Sequence, residues 1–326
     1  MIRLPSKRIA LLFAALLCLG GCEKPSESQK PGAAGPKPKR VIGVSVLTMT
    51  NPFFKTIADA MTEEAAKLGY EVAVVGGEND VARQRDQVKD FLASKVSAIV
   101  LMPCDSKAIG TAIQEANRAG VPVFTADIAC LAPEAKVVAH IATDNRAGGR
   151  QAAEALVEAI GGKGKVAILN HPGVESSILR SSGFRQRLAE LNTAGKANVE
   201  VVADLPALGD RDLGFKCTQD LLQAHADVAG IFAVNDPSAL GALAALENAG
   251  KLGQVKVVGF DGQPEARKAI RDGKLYATLI QFPDKIGRQT VQTIVRHFEG
   301  ETPPKELLIA TEVYRRADAQ KDPSLK

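Results

Sequence analysis

The sequence predicts an α/β protein made of two similar, doubly wound parallel-sheet lobes. Three observations point there. Short, near-continuous apolar runs alternate with longer segments of helical period, the pattern of strands buried on both faces of a parallel sheet. The alternation is written twice, once over 41–102 and again over 165–235. A chain of 326 residues is also long enough for two ordinary domains.

Composition narrows the class. Apolar residues make up 45% and charged residues 24%, which excludes a disordered, collagen-like or disulfide-stapled chain. There is no Trp and there are only 3 Tyr and 11 Phe, too few for a nucleic-acid stacking surface. Three of the basic residues behind the formal +4 charge (Arg3, Lys7, Arg8) lie in the first 21 residues, which hold no acid. The remaining body is close to neutral and carries no footprint for DNA.

Taken in order, residues 1–21 start basic and continue as an apolar stretch from Ile9 to Leu19. That stretch is too short to span about 30 Å of hydrocarbon and has the form of a secretory signal. It ends in Leu19-Gly20-Gly21-Cys22. This resembles the bacterial lipoprotein signal, which implies that Cys22 is lipidated and becomes the new N-terminus. Residues 22–40 are rich in Pro, Ser, Gly and Lys, cannot bury enough surface to fold, and read as a flexible tether. The folded body is expected from Val41, outside the cytoplasm and held at a membrane.

The predicted strands are VIGVSVL (41–47), EVAVVG (71–76), AIVLM (98–102), PVFTA (122–126), VVAHI (137–141), KVAIL (165–169), VEVVA (199–203), GIFAV (230–234), VKVVGF (255–260) and YATLI (276–280). Helical spacing lies between most of them, as in Val81, Arg85, Val88, Leu92 and Val96. Gly69, Gly120 and Gly250 mark helix ends. Such repetition gives right-handed crossovers in open sheets, and ligands of open sheets bind beyond the carboxyl ends of the strands. The loops there are 48–54, 103–106, 127–130, 170–180, 235–238 and 261–264.

In the first loop Asn51 is a good helix N-cap and Pro52 suits the first helical position. Phe53 and Phe54 follow. Two adjacent aromatics at a helix start are not expected both to face the core, so one is assigned to an aromatic wall in the cleft. Asp127, Asn235 and Asp261 follow three other strands. Each alone is an ordinary turn residue; together at equivalent strand ends they suit hydroxyl groups. Arg180 supplies fixed donors from the second half.

No catalytic or cofactor motif stands out. Gly161-Gly162-Lys163-Gly164-Lys165 lacks the phosphate-loop spacing and precedes a strand. No dinucleotide fingerprint follows the first strand, Gly-x-Ser-x-Gly is absent, and no Cys/His spacing suits a metal. No cofactor, no metal and no enzymatic activity are expected. Cys104 and Cys130 follow neighbouring strands, and an oxidising compartment would permit a bridge between them; the alternative is two free thiols. Cys217 reads as a core thiol.

Several motifs together resemble the periplasmic sugar-binding proteins of the ribose-binding type, the solute receptors of ABC importers. They are NPFF (51–54), DS (105–106), IATDN (141–145), RSSGF (180–184), NDPSALGAL (235–243), VVGFDG (257–262) and ATLIQFPDKIG (277–287). The resemblance covers roughly 40–310. It implies two lobes joined by a three-segment hinge, crossing near 143–144, 281–282 and 303–305. The first lobe would hold 41–143 plus 282–304, the second 144–281 plus 305–326. It also implies ring-stacking roles for Phe53 and Phe54, and hydroxyl-binding roles for Asn51, Asp127, Arg180, Asn235, Asp261 and Gln281.

At four positions the sequence departs from the ribose pattern. Ile128 stands where that pattern has an Arg, Leu47 for a Ser, Met102 for an Asn, and Gly209 for an aromatic. A ring hydroxyl facing Ile128 would lose a partner, at a cost of about 1–3 kcal/mol. These departures weigh against ribose itself and leave a sugar receptor intact. The implied function is a monomeric receptor that closes on a monosaccharide or polyol and delivers it to an ABC permease. An alternative is a sensor that passes its ligand state to a chemoreceptor or sensor kinase. Repressors on this fold carry an N-terminal helix-turn-helix, whereas residues 1–40 here read as a secretion signal and tether.

Overall fold

The computed structural model describes residues 40–325; the leader, the tether and Cys22 lie outside them. The first half runs β1 (Arg40–Val46), α1 (Pro52–Lys67), β2 (Tyr70–Gly76), α2 (Val81–Ala93), β3 (Ala98–Leu101), α3 (Gly110–Arg118), β4 (Val123–Ala126) and β5 (His140–Thr143). The second runs α4 (Asn145–Ala159), β6 (Lys163–Asn170), α5 (Glu175–Thr193), β7 (Asn198–Pro206), α6 (Arg211–Ala224), β8 (Val228–Ala233), α7 (Asp236–Asn248), β9 (Lys256–Asp261), α8 (Pro264–Arg271) and β10 (Ala277–Ile280). Then follow α9 (Pro283–Phe298), β11 (Glu306–Ile309), β12 (Glu312–Arg315) and the short α10 (Arg316–Ala319).

The strands form two six-stranded sheets, ordered β11-β5-β4-β3-β1-β2 and β12-β10-β9-β8-β6-β7. All pairings in the first are parallel. The second is parallel except for its edge, where β12 runs antiparallel to β10. In both sheets the order reverses at the first strand of the unit, which opens a crevice beyond the strand ends.

The chain passes between sheets three times. β5 belongs to the first sheet, and α4 after it packs on α5 of the second lobe. β10 belongs to the second sheet, and α9 returns to pack on α1. The third passage is a correction. It was expected near 303–305, yet β11 pairs with β5 in the first sheet over Leu307↔Ile141 and Leu308↔Ala142. The crossing therefore falls at Ala310–Thr311, between β11 and β12. Both strands have only four residues and incomplete burial, so neither shows the continuous apolar run that marks a central strand.

Other expectations shift modestly. The strand expected at 137–141 occupies His140–Thr143. On α2 the buried side chains are Gln84, Val88 and Phe91, because the core-facing stripe is rotated from the one read off Arg85 and Leu92. Gln84 is buried since its amide donates to the Met102 carbonyl at 3.0 Å and its oxygen accepts from the Cys104 amide at 2.9 Å. Gly69, Gly120 and Gly250 take φ of +81°, +73° and +65° after helix ends, as a left-handed terminus requires. Cys104, Cys130 and Cys217 are all free thiols, so the bridge between Cys104 and Cys130 is not formed. Burial pushes the Cys104 thiol up to about 12.

The second lobe packs its helices unusually closely. A Cβ on Gly149 of α4 would overlap the Arg180 carbonyl oxygen of α5, and one on Gly183 would overlap that of Arg146. Gly214 of α6 and Gly241 of α7 stand in the same mutual relation. The α4–α5 contact sets the position of the helix that carries Arg180.

Candidate functional site

Between the strand ends of the two sheets lies a cavity of about 380 Å³. Asn51, Phe53, Phe54, Asp127, Arg180, Asn235, Asp261 and Gln281 all line it, with Leu47, Ile128 and Gly209. Met102 does not line it and is buried in the core of the first lobe.

The first lobe supplies the aromatic wall. Asn51 caps α1 by accepting from the Phe53 amide at 3.0 Å, which fixes the direction of Phe53 and Phe54. The two rings sit edge to face, 5.5 Å apart and at 86°, a favoured aromatic geometry. The expectation that both could not face the core is overturned: they are only 6% and 5% exposed, within the same apolar cluster. The helix start lies at the border of core and cavity, so rings packed side by side reach both.

Asp127 follows β4 with φ of +60°, a left-handed conformation that Asp tolerates better than most residues. It is 3% exposed and its Oδ1 has no hydrogen-bond partner. Burial raises its carboxyl to about 7, against the pull of the Arg180 charge. Asp261 ends β9 at φ of +116°, a costly conformation for a side chain with a Cβ. Such strain concentrates at ligand sites.

Arg180 of α5 is 5% exposed and closely held. Its Nε donates to Asn145 Oδ1 and its Nη1 to the Val234 carbonyl, both at 2.8 Å. The guanidinium lies 3.9 Å over the Phe260 ring and its Nη1 is 3.5 Å from Asp261 Oδ1. Burial works against its charge, and Asp261 then Asp127 restore it. Asp261 rises to about 6 through burial, opposed chiefly by Arg180. Beneath it Asp236 is driven up by burial and by the Asp261 charge.

Gln281 joins the lobes at the hinge. Its oxygen accepts from Thr143 Oγ1 of the first lobe at 2.6 Å, and its nitrogen donates to Asp261 Oδ1 at 2.7 Å. Asn235 is partly committed to structure: its oxygen caps α7 by accepting from the Ser238 amide, and its nitrogen donates to the Gly209 carbonyl at 2.9 Å. One donor hydrogen is left for a ligand.

Several contributors escape sequence reading. Asn145 and Phe260 hold Arg180; they lie inside the IATDN and VVGFDG motifs, but the sequence assigned them no role of their own. Ser106 of the first lobe donates from its amide to the Gly173 carbonyl at 3.0 Å. Its hydroxyl also accepts from the Glu175 amide at 2.9 Å, capping α5, whose own N-cap residue Val174 makes no side-chain bond. Gln263 bridges Asn51 and Asp261 across the cleft. With these contacts the lobes meet around the cavity. Among the described residues no group of His, Cys, Asp and Glu is placed to hold a metal. The chemistry offered is an apolar ring face, buried acceptors at Asp127 and Asp261, and donors at Asn51, Arg180 and Asn235. A compact ring compound with several hydroxyls matches that set.

Comparison with known proteins agrees with this geometry. The family model described as a periplasmic binding protein domain matches residues 42–302. The ribose import binding protein of Escherichia coli (strain K12) is 42% identical over 81% of this chain and 86% of its own length. That of Bacillus subtilis (strain 168) is 39% identical over 85% and 88%. Among solved structures, an ABC transporter solute-binding protein from Actinobacillus succinogenes 130z with bound D-allose superposes with a TM-score of 0.79. It is 30% identical over 87% of this chain and 100% of that one. The chain belongs to the periplasmic binding protein family, within its ribose-binding type.

Proposed function

We propose that this protein is the extracytoplasmic receptor of an ABC importer, a monomer that closes its lobes around one monosaccharide or polyol and presents the closed form to a membrane permease. The observation that carries the reading is the cavity at facing strand ends, with Phe53 and Phe54 from one lobe and Arg180 and Asp261 from the other. The import role and bound sugar of the relatives support it. It is a binding protein, not an enzyme. A ligand touching both lobes favours the closed arrangement by its differential affinity for it. Leu47, Ile128 and Gly209 line the same cavity. There they replace polar and aromatic groups of the ribose pattern with apolar or absent side chains, so the ligand class is a pentose, hexose, deoxysugar or polyol and not ribose by default.

A thermal-shift screen of the 41–326 body against those classes tests the reading. A ligand at 100 times its dissociation constant should stabilise by about 2.7 kcal/mol, with micromolar affinity for at least one. A screen in which no sugar or polyol raises the melting temperature, while amino acids or peptides run beside them do, would reject it.

We also propose that Cys22 carries a lipid anchor. Leu19-Gly20-Gly21-Cys22 at the end of the apolar run supports this. Among the described residues no helix is long and apolar enough to cross a membrane. Metabolic labelling with a fatty acid is expected to mark the wild type and not Cys22→Ser; equal labelling of both would refute the anchor.

A further inference from the structure

Gln263 lies in the 261–264 loop but outside the quoted motifs, and it touches ligand-site residues of both lobes. Its backbone amide donates to the buried Asp236 Oδ2 at 2.7 Å, which fixes its base in the second lobe. Its side-chain nitrogen donates to Asn51 Oδ1 of the first lobe at 2.9 Å and lies 3.3 Å from Asp261 Oδ2 of its own. We propose that Gln263 is a positioning residue that assembles the groups of the two lobes into one ligand site when the lobes meet.

The donor and acceptor inventory supports this. Asn51 Oδ1 already accepts from the Phe53 amide as the cap of α1, so the orientation of its amide is set. Gln263 takes the remaining lone pair of that oxygen, and the Asn51 NH₂ is left for the ligand. The two hydrogens of the Gln263 amide are then directed to Asn51 and Asp261. Asp261 Oδ1 is held by Gln281 at 2.7 Å, and Gln263 supplies the matching bond to Oδ2. Thr143, Gln281, Asp261, Gln263 and Asn51 thus form a continuous chain of hydrogen bonds that leaves the first lobe, crosses the second and returns. Opening the cleft breaks only the Asn51 link, since the others stay within the second lobe or at the hinge. Ligand-competent orientation of Asn51 is therefore tied to closure.

The inference rests on reading the cleft as the ligand site, and three variants of the full chain separate it from a merely structural role. Gln263→Ala removes the bridge and should weaken binding of the best ligand from the sugar and polyol screen about tenfold, equally at pH 7.5 and pH 5. Gln263→Glu keeps the length but sets a carboxylate against two acceptors, Asn51 Oδ1 and Asp261 Oδ2. The charged groups that line the cavity with it or bond its loop are Asp210, Arg211, Asp236, Asp261, Glu265, Arg267 and Arg180 from its own lobe and Asp127 from the other, an acidic excess. Affinity of this variant should fall about a hundredfold or more at pH 7.5. At pH 5 the introduced carboxyl is protonated among these acids and regains one O–H donor, so the deficit should shrink to about tenfold. Expressing each value relative to wild type at the same pH cancels the titration of Asp127 and Asp261. Gln263→Asn cannot span the cleft and should behave as the alanine variant.

A Gln263→Glu deficit that is absent, or equally large at both pH values, overturns the proposal. Small-angle X-ray scattering of the empty proteins tests the interlobe bond without any ligand: Gln263→Ala is expected to be more expanded than wild type, and coincident curves count against the bridge. A wild type that binds no sugar or polyol would reject the proposed function, while the scattering comparison still judges Gln263.

Discussion

Arg180→Ala is expected to weaken ligand binding by two to three orders of magnitude. Among the described residues, Arg180 is the sole buried cation of the cleft, between Asp261 and Asp127. Removing it leaves Asp261 and Asp236 as neighbouring buried carboxyls with no opposing charge. Breaking such a buried pair costs about 3–5 kcal/mol, and each 1.4 kcal/mol is about tenfold in affinity. The deletion also strips a partner from Asn145 Oδ1 and the Val234 carbonyl and uncovers the face of Phe260. With the lobes met, Arg180 and Asp261 are packed into the second lobe at 5% and 6% exposure, so the variant should fold but melt several degrees lower. Arg180→Lys should not restore binding, because one ammonium cannot reach Asn145 and the Val234 carbonyl while stacking on Phe260. Isothermal titration beside circular dichroism decides the matter. If Arg180→Ala binds the ligand as tightly as wild type, the cleft assignment is wrong.

Asp127→Asn is expected to do the reverse to stability, in a way that depends on pH. An aspartate in the unfolded chain titrates near 3.8, and burial lifts Asp127 to about 7 in the folded protein. Between those values the folded state binds more protons than the unfolded state, so this group makes stability fall as pH rises. The loss begins near pH 4 and is complete above about pH 7. A separation of about three pH units at about 1.4 kcal/mol each gives a penalty on the order of 4 kcal/mol. Asparagine carries no charge and tolerates φ of +60° at least as well. The empty variant should therefore melt well above wild type at pH 8 and close to it at pH 4. Equal melting temperatures at pH 8 would overturn this account. Ligand affinity should fall at the same time, about tenfold, since a charged acceptor has become a neutral amide. Stability given up for a binding group is the usual relation at a functional site.

The order of strands and helices was legible because it rests on local periodicity. Runs such as 98–102 and 230–234 are apolar at every position, which only a strand covered on both faces requires. The strand ends were legible for a related reason: short polar residues stop apolar runs, and the topology of an open sheet brings those stops together. Motif resemblance then singled out eight side chains, from Asn51 to Gln281, that line one cavity. Tertiary structure alone decided the rest. β11 joins the first sheet, which moved the third hinge crossing past 303–305; four half-exposed residues acquire a strand identity only from the neighbour they pair with. Gly149, Gly183, Gly214 and Gly241 look like weak points in helices, yet each is needed where another helix backbone touches. Gln263, Ser106 and Asn145 act on partners 35 to 212 residues away, and no periodicity extends that far. A sequence records what each segment prefers for itself; which side chains meet across the cleft is set by how the two sheets are packed and hinged.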